Sequence, residues 1–198
     1  MPYARKDLLT WQKGIYYHIY NRGVNRSVIF REPKNYIFVL SKIKEYISAN
    51  ELAMIAYCLE PNHYHFMVLQ DGDKPAGNLP QLVFNSYTKA YNKAYNHAGT
   101  LFEGRFRAKP IQSDSHFLHL CRYIHGNPVK DGLVTDPADW PYSNYLEWIG
   151  EREGTLVDRA FINSQFESSD EYKKFLFQYL KSQDLPEDVK KFLADLEK

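Results

Sequence analysis

Hydrophobic and polar positions change period several times along the chain. In residues 14–23, Ile15, Tyr17 and Ile19 alternate with Tyr16, His18 and Tyr20, which predicts a strand with two different faces. Asn21, Arg22 and Gly23 then turn the chain, and residues 28–30 predict a short extended piece. Pro33 suits the first position of a helix, and Tyr36, Leu40, Ile43 and Ile47 recur at helical spacing, predicting a helix over residues 34–49. Two apolar runs, residues 51–60 and 63–70, are broken only by Pro61-Asn62 and predict an antiparallel strand pair. A second helix is expected from about Leu79 to His97. On it Tyr87, Tyr91 and Tyr95 stand four apart, the pattern of a packing stripe. A turn and a basic strand follow in residues 101–112. Another helix, capped by Asp114 or Ser115, is expected to stop at Gly126 and Pro128.

Strand, helix, strand, strand, helix, strand is the βαββαβ order of a ferredoxin-like α+β fold. It predicts a mainly antiparallel sheet with helices on one face, the other face being open or covered by the added helix. Residues 1–130 would form this core. Residues 131–198 would form an extension: an aromatic arm anchored by Trp140, Tyr142, Tyr145 and Trp148, then two short helices capped at Ser169 and near Asp184–Pro186.

The net charge of +1 hides an uneven distribution. Residues 1–130 carry 17 Lys and Arg against 9 Asp and Glu, whereas residues 131–198 carry 8 against 15. A basic body with an acidic tail points to a polyanionic partner. Cys58 and Cys121 lie far apart with no CxxC pair, and neither a signal-peptide pattern nor a transmembrane-length run is present. A cytoplasmic protein is the expectation.

The candidate chemistry begins at His63-Tyr64-His65. On a strand the two histidines share one face and Tyr64 takes the other. Two such imidazoles either satisfy their own hydrogen bonds or share a metal, and a site needs a third ligand. Tyr123 and Asn127, four apart on the later helix, share a face. A tyrosine hydroxyl is a poor nucleophile unless a cation activates it or its electrophile. A metal on His63, His65 and Asn127 could polarise a phosphate that Tyr123 attacks.

The segments "YYHIYNRGVNRSVIF", "EPNHYHFMV", "LFEGRFRAKPI" and "CRYIHGNPVKDGLV", in this order and spacing, resemble REP-associated tyrosine transposases of the single-tyrosine HUH superfamily. "WPYSNYLEWIG" and "DEYKKFLFQYL" resemble that family's C-terminal extension. The resemblance spans about residues 14–182. It implies His63 and His65 as ligands of Mg²⁺ or Mn²⁺, Asn127 as the third ligand and Tyr123 as nucleophile. It further implies single-stranded hairpin DNA as partner, a 5′-phosphotyrosine intermediate, and a monomer acting in cis, although related insertion-sequence enzymes are dimers. Members often carry Met where this chain has Glu60.

Arg22 and Arg26, in the loop after the first strand, are candidate DNA contacts. So are Arg105, Arg107 and Lys109, on one face of the basic strand, and Arg122 beside Tyr123. Two other readings remain open from sequence: a hydrolase using metal-activated water, and a non-catalytic DNA-binding module.

Overall fold

The computed structural model describes residues 9–111, 114–157, 159–182 and 185–194. Strands β1 (Tyr16–Arg22), β2 (Leu52–Glu60), β3 (His63–Gln70) and β4 (Arg107–Ile111) form one sheet in the order β2-β3-β1-β4. Every neighbouring pair is antiparallel. Helix α1 (Pro33–Ala49) links β1 to β2, and α2 (Asn78–Tyr95) links β3 to β4. This is the ferredoxin-like α+β core expected from the element order. Helices α3 (Asp114–Lys130), α4 (Tyr145–Trp148), α5 (Arg159–Gln165), α6 (Ser169–Ser182) and α7 (Glu187–Ala194) follow.

Strand alternation sorts side chains into two cores. Tyr17, Ile19, Leu59, Tyr64, Phe66 and Val68 are buried with residues of α1 and α2. Tyr20, Cys58, Met67 and Ile111 are buried on the opposite face with residues of α3, α6 and α7. The sheet is therefore covered on both sides, and Tyr64 faces away from the histidines that flank it. Both cysteines are buried free thiols. The α2 tyrosines are packing groups: Tyr87 and Tyr91 are buried, and the Tyr87 hydroxyl donates to the Ile29 carbonyl at 2.5 Å.

Three local expectations change. Residues 28–30 form no strand; the Ile29 and Phe30 amides instead donate to the Pro61 carbonyl and wrap the β2–β3 turn. Helix α3 does not stop at Gly126 and Pro128 but runs through both to Lys130. Gly126 serves close packing, since a Cβ there would stand 3.1 Å from Leu180 Cδ2 and 3.2 Å from the Tyr179 ring. The stop is Gly132, whose φ of +70° suits glycine. Its amide donates to the Val129 carbonyl and that of Leu133 to the Pro128 carbonyl, a Schellman motif. A proline two residues before a helix end removes a single rung, and packing of α3 on β2 and α6 outweighs that loss. The cap of α6 is Ser168, whose hydroxyl accepts from the Glu171 amide, rather than Ser169. The expected cap of α3 and the turn at Asp184 lie outside the described residues and side chains.

The segment after α3 wraps the free edge of β2. The Leu59 amide donates to the Tyr142 carbonyl at 2.9 Å, and the Tyr57 amide to Asn144 Oδ1 at 2.7 Å. Trp140 and Trp148 donate their indole N–H groups to the carbonyls of Leu59 and Ile55, while Tyr142 stacks on Tyr36 at 3.7 Å. All four expected aromatic anchors are in place, Tyr145 being buried with Trp148.

Candidate active site

A cavity of about 380 Å³ opens where the β2–β3 turn, the end of β1 and the C-terminal half of α3 meet. Strand register builds one wall. Arg22 pairs with His63 and Tyr20 with His65 across β1 and β3, while Glu60 and Cys58 lie opposite the same two histidines on β2. Helix α3 builds the other wall with Tyr123, Asn127 and Lys130, and Asp131 follows at its end. Because α3 continues through Pro128, Asn127 keeps its place one turn beyond Tyr123.

The two HUH imidazoles have different surroundings. His63 Nδ1 lies 2.6 Å from Asn62 Oδ1, an acceptor, so Nδ1 carries the proton. Its Nε2 lies 3.4 Å from Glu60 Oε1. His65 turns Nδ1 toward His18 Nε2 at 3.0 Å, leaving its Nε2 for the cavity. The His63 and His65 rings are 5.1 Å apart and nearly perpendicular; the Tyr123 ring lies 5.6 Å from that of His65. Lys130 Nζ stands 4.9 Å from the Tyr123 ring centroid.

Electrostatics follow from burial and neighbours. Burial, helped by the positive charges of His63, His18 and Lys130, holds the His65 pKa well below the usual histidine range. Burial also works against protonated His63, yet the hydrogen bond and charge of Glu60, with Asp131, outweigh it and raise its pKa. Glu60 is fully buried, and burial raises its pKa despite His63. Burial, with the charge of Lys109, pushes the His18 pKa down to about 3.

The donors present suit a divalent cation. Glu60 Oε2 is buried with no hydrogen-bond partner, and ligand atoms of Glu60, His63 and Asp131 lie within 4.8 Å of one another. Imidazole nitrogen with carboxylate and amide oxygen is a shell that Mn²⁺ and, with enough oxygens, Mg²⁺ accept.

Of the residues singled out from the sequence, His63, His65, Tyr123, Asn127, Arg22, Arg26 and Arg107 all line the cavity. Arg26 reaches it through a tight loop. Gly23 packs so closely on Ser27 that a Cβ would meet the Ser27 carbonyl at 2.1 Å, and Asn25 and Arg26 have φ of 53° and 57°. Three others do not line the cavity. Arg105 is exposed before β4. Lys109 donates to the Phe192 carbonyl on α7 at 2.9 Å. Arg122 is buried against α6, 4.2 Å over the Phe175 ring and 5.3 Å over Tyr179. Sequence reading missed Tyr20, Lys130 and Asp131 on the rim and His18 beneath His65. Of these, only His18 left a signal, as the polar member of an apolar strand face.

Comparisons with known proteins bear on the family and the fold. The model of the family described as "Transposase IS200 like" matches residues 11–127. The "REP-associated tyrosine transposase" of Escherichia coli (strain K12) is 27% identical over 110 residues, covering 48% of this chain and 62% of that protein. A "Putative REP-associated tyrosine transposase" of Haemophilus influenzae is 28% identical over 102 residues, covering 46% and 57%. The chain thus aligns with about three-fifths of the length of these relatives. A solved structure titled "Structure of the REP associates tyrosine transposase bound to a REP hairpin" superposes with a TM-score of 0.63 at 19% identity, covering 79% of this chain and 98% of that one. With a family match over more than half its length and the matching fold, the chain belongs to the IS200-like transposase family.

Proposed function

We propose that this chain cleaves and rejoins single-stranded DNA with Tyr123 as nucleophile and a divalent cation held by His63, His65 and Asn127. The observation that carries this reading is the convergence of Tyr123, Asn127 and both histidines on one cavity, from elements far apart in sequence. Bound there, Mg²⁺ or Mn²⁺ would supply positive charge to a phosphate oxygen as charge develops on it.

The protein's own groups do the rest. Arg22, Arg26, Arg107 and Lys130 put four cations around the cavity against the carboxylates of Glu103 and Asp131, a balance that draws a phosphodiester. Arg22 is braced by an ion pair with Glu103. Burial of Tyr123 on α3 holds its ring in one orientation beside His65. Attack by the Tyr123 oxygen on phosphorus forms a phosphotyrosine at the 5′ end, breaks the P–O3′ bond and leaves a 3′-hydroxyl. The phenol proton leaves with solvent or the departing oxygen. The ester keeps the energy of the broken bond, so a second 3′-hydroxyl can reverse the step on a new strand. The names of the relatives and of the structural neighbour suggest REP-type hairpins as the DNA.

Labelled hairpin DNA with Mn²⁺ should yield a denaturation-resistant protein–DNA adduct. Tyr123→Phe should abolish it and His63→Ala should abolish adduct and cleavage together. Cleavage that persists in Tyr123→Phe would overturn the nucleophile and favour a metal-activated water.

A further inference from the structure

Beneath the rim of the cavity, at the turn from β2 to β3, three lone-pair donors face one another. Asn62 Oδ1 fixes the proton of His63 on Nδ1, so the Nε2 of neutral His63 is a bare lone pair. It points at Glu60 Oε1, 3.4 Å away. Asp131, from the end of α3, brings its carboxylate to within 4.8 Å of both. The second Glu60 oxygen, Oε2, is fully buried with no hydrogen-bond partner. The rim guanidinium nearest in register, Arg22, is committed to Glu103. A proton on His63 Nε2 meets Glu60 Oε1 when His63 is charged, but it leaves Oε2 buried without a partner, and burying an unpaired carboxylate oxygen is costly. A cation between the donors satisfies Oε2 and the imidazole together. Donors cis to each other on one ion at about 2.1 Å stand roughly 3 Å apart, close to the His63–Glu60 spacing.

We propose that Glu60 and Asp131 are further ligands of this chain's cation, meeting the ion beside His63. The strand-transfer reading needs only imidazoles and an amide; two carboxylates turn that seat into an oxygen-rich one. Two imidazoles alone favour softer transition metals, whereas carboxylate oxygens favour Mg²⁺ and Mn²⁺. Glu60 is supplied by the last residue of β2 and Asp131 by the residue just past α3, so the ion also ties the sheet to the helix that carries Tyr123. The inference rests on the strand-transfer reading for what the cation does, but its test does not.

The test is Mn²⁺ binding to the full chain without DNA, read by electron paramagnetic resonance of the free ion. Glu60→Gln and Asp131→Asn should each weaken Mn²⁺ binding at least tenfold, with melting in EDTA showing that the fold survives. Asp131 is exposed on the rim, so Asp131→Asn tests the site even if the buried Glu60→Gln variant does not fold. In the unmutated chain, substoichiometric Mn²⁺ should broaden the ring resonances of His63. Wild-type affinity in either folded variant, no Mn²⁺ bound by the unmutated chain, or His63 resonances left sharp would each overturn the site. If Mn²⁺ binds as expected while no hairpin DNA forms an adduct, the site stands and the strand-transfer reading falls. Adducts formed by a Glu60→Gln chain with unchanged Mn²⁺ affinity give the converse.

Discussion

His18 Nε2 lies 3.0 Å from His65 Nδ1, the two rings only 10° from parallel. One nitrogen of that pair must carry the proton. If His65 donates, its Nε2 is a free lone pair toward the cavity, the form a cation requires. His18 is then a positioning residue, choosing the tautomer of a ligand without touching the ion. His18→Phe should weaken Mn²⁺ binding about 10–100-fold, the usual cost of losing such a support, while His18→Gln, which can accept the same hydrogen bond, should restore most of it. Nitrogen-15 shifts of the His65 ring in the Mg²⁺-bound protein should report the Nδ1–H form.

Stability should depend on pH through the same buried rings. His18 is held near 3 by burial and Lys109, and His125 near 4 by burial, against about 6.5 when unfolded. Between those values the unfolded chain binds more protons, so these groups stabilise the fold fully above about pH 7 and progressively less as pH falls toward 4. Near pH 5 each contributes a slope of about one proton, ~1.4 kcal/mol per pH unit. Glu60 and His63, shifted upward, act in the opposite sense. The clean observable is therefore a difference: urea unfolding across pH 4–7 should lose about one proton of slope in His18→Phe.

Much of this was legible in the chain. The period-two pattern of residues 15–20 places His18 opposite Tyr17, and "HYH" assigns His63 and His65 to one face, both as found. What local pattern misread was the end of α3. Gly126 and Pro128 are strong stop signals in isolation, but Gly126 makes room for Tyr179 and Leu180 of α6, and that contact lies some fifty residues away. The same blindness hid His18 as the partner of His65 and Asp131 as a neighbour of Glu60. Each depends on β1–β3 register or on where α3 docks, and neither is a local property. Arg122, adjacent to Tyr123 in sequence, points to a different side because successive helical residues diverge by about 100°.

That divergence separates two kinds of arginine. Arg26→Ala and Arg107→Ala should weaken binding of single-stranded hairpin DNA and each reduce the salt dependence by about one counterion. Arg122→Ala should leave DNA binding within twofold of the unmutated chain. It should instead cost about 1–2 kcal/mol of unfolding free energy, from lost contact with the Phe175 and Tyr179 rings. Filter binding at two salt concentrations and chemical denaturation check the two halves.

The Asn144 side chain ties the arm to β2 and to α3. Its Oδ1 accepts from the Tyr57 amide at 2.7 Å and lies 2.9 Å from His125 Nε2; its Nδ2 donates to the Ile55 carbonyl at 2.8 Å. Asn144→Ala would leave these groups buried and unmatched, each worth about 1–3 kcal/mol. Loss of several kcal/mol in unfolding free energy, with hydrogen exchange accelerating first at Tyr57, is the expected outcome.

The wrapping of β2 by Tyr142 and Asn144 also bears on assembly. At the other end of the sheet β4 is only five residues long and contains Pro110, which offers no N–H to a further strand. With one border occupied by the chain's own arm and the other blunted, the sheet is a poor template for a strand from another molecule. A second copy would have to meet this one through surfaces other than the sheet edges, and concentration alone should not drive the protein into edge-to-edge ribbons.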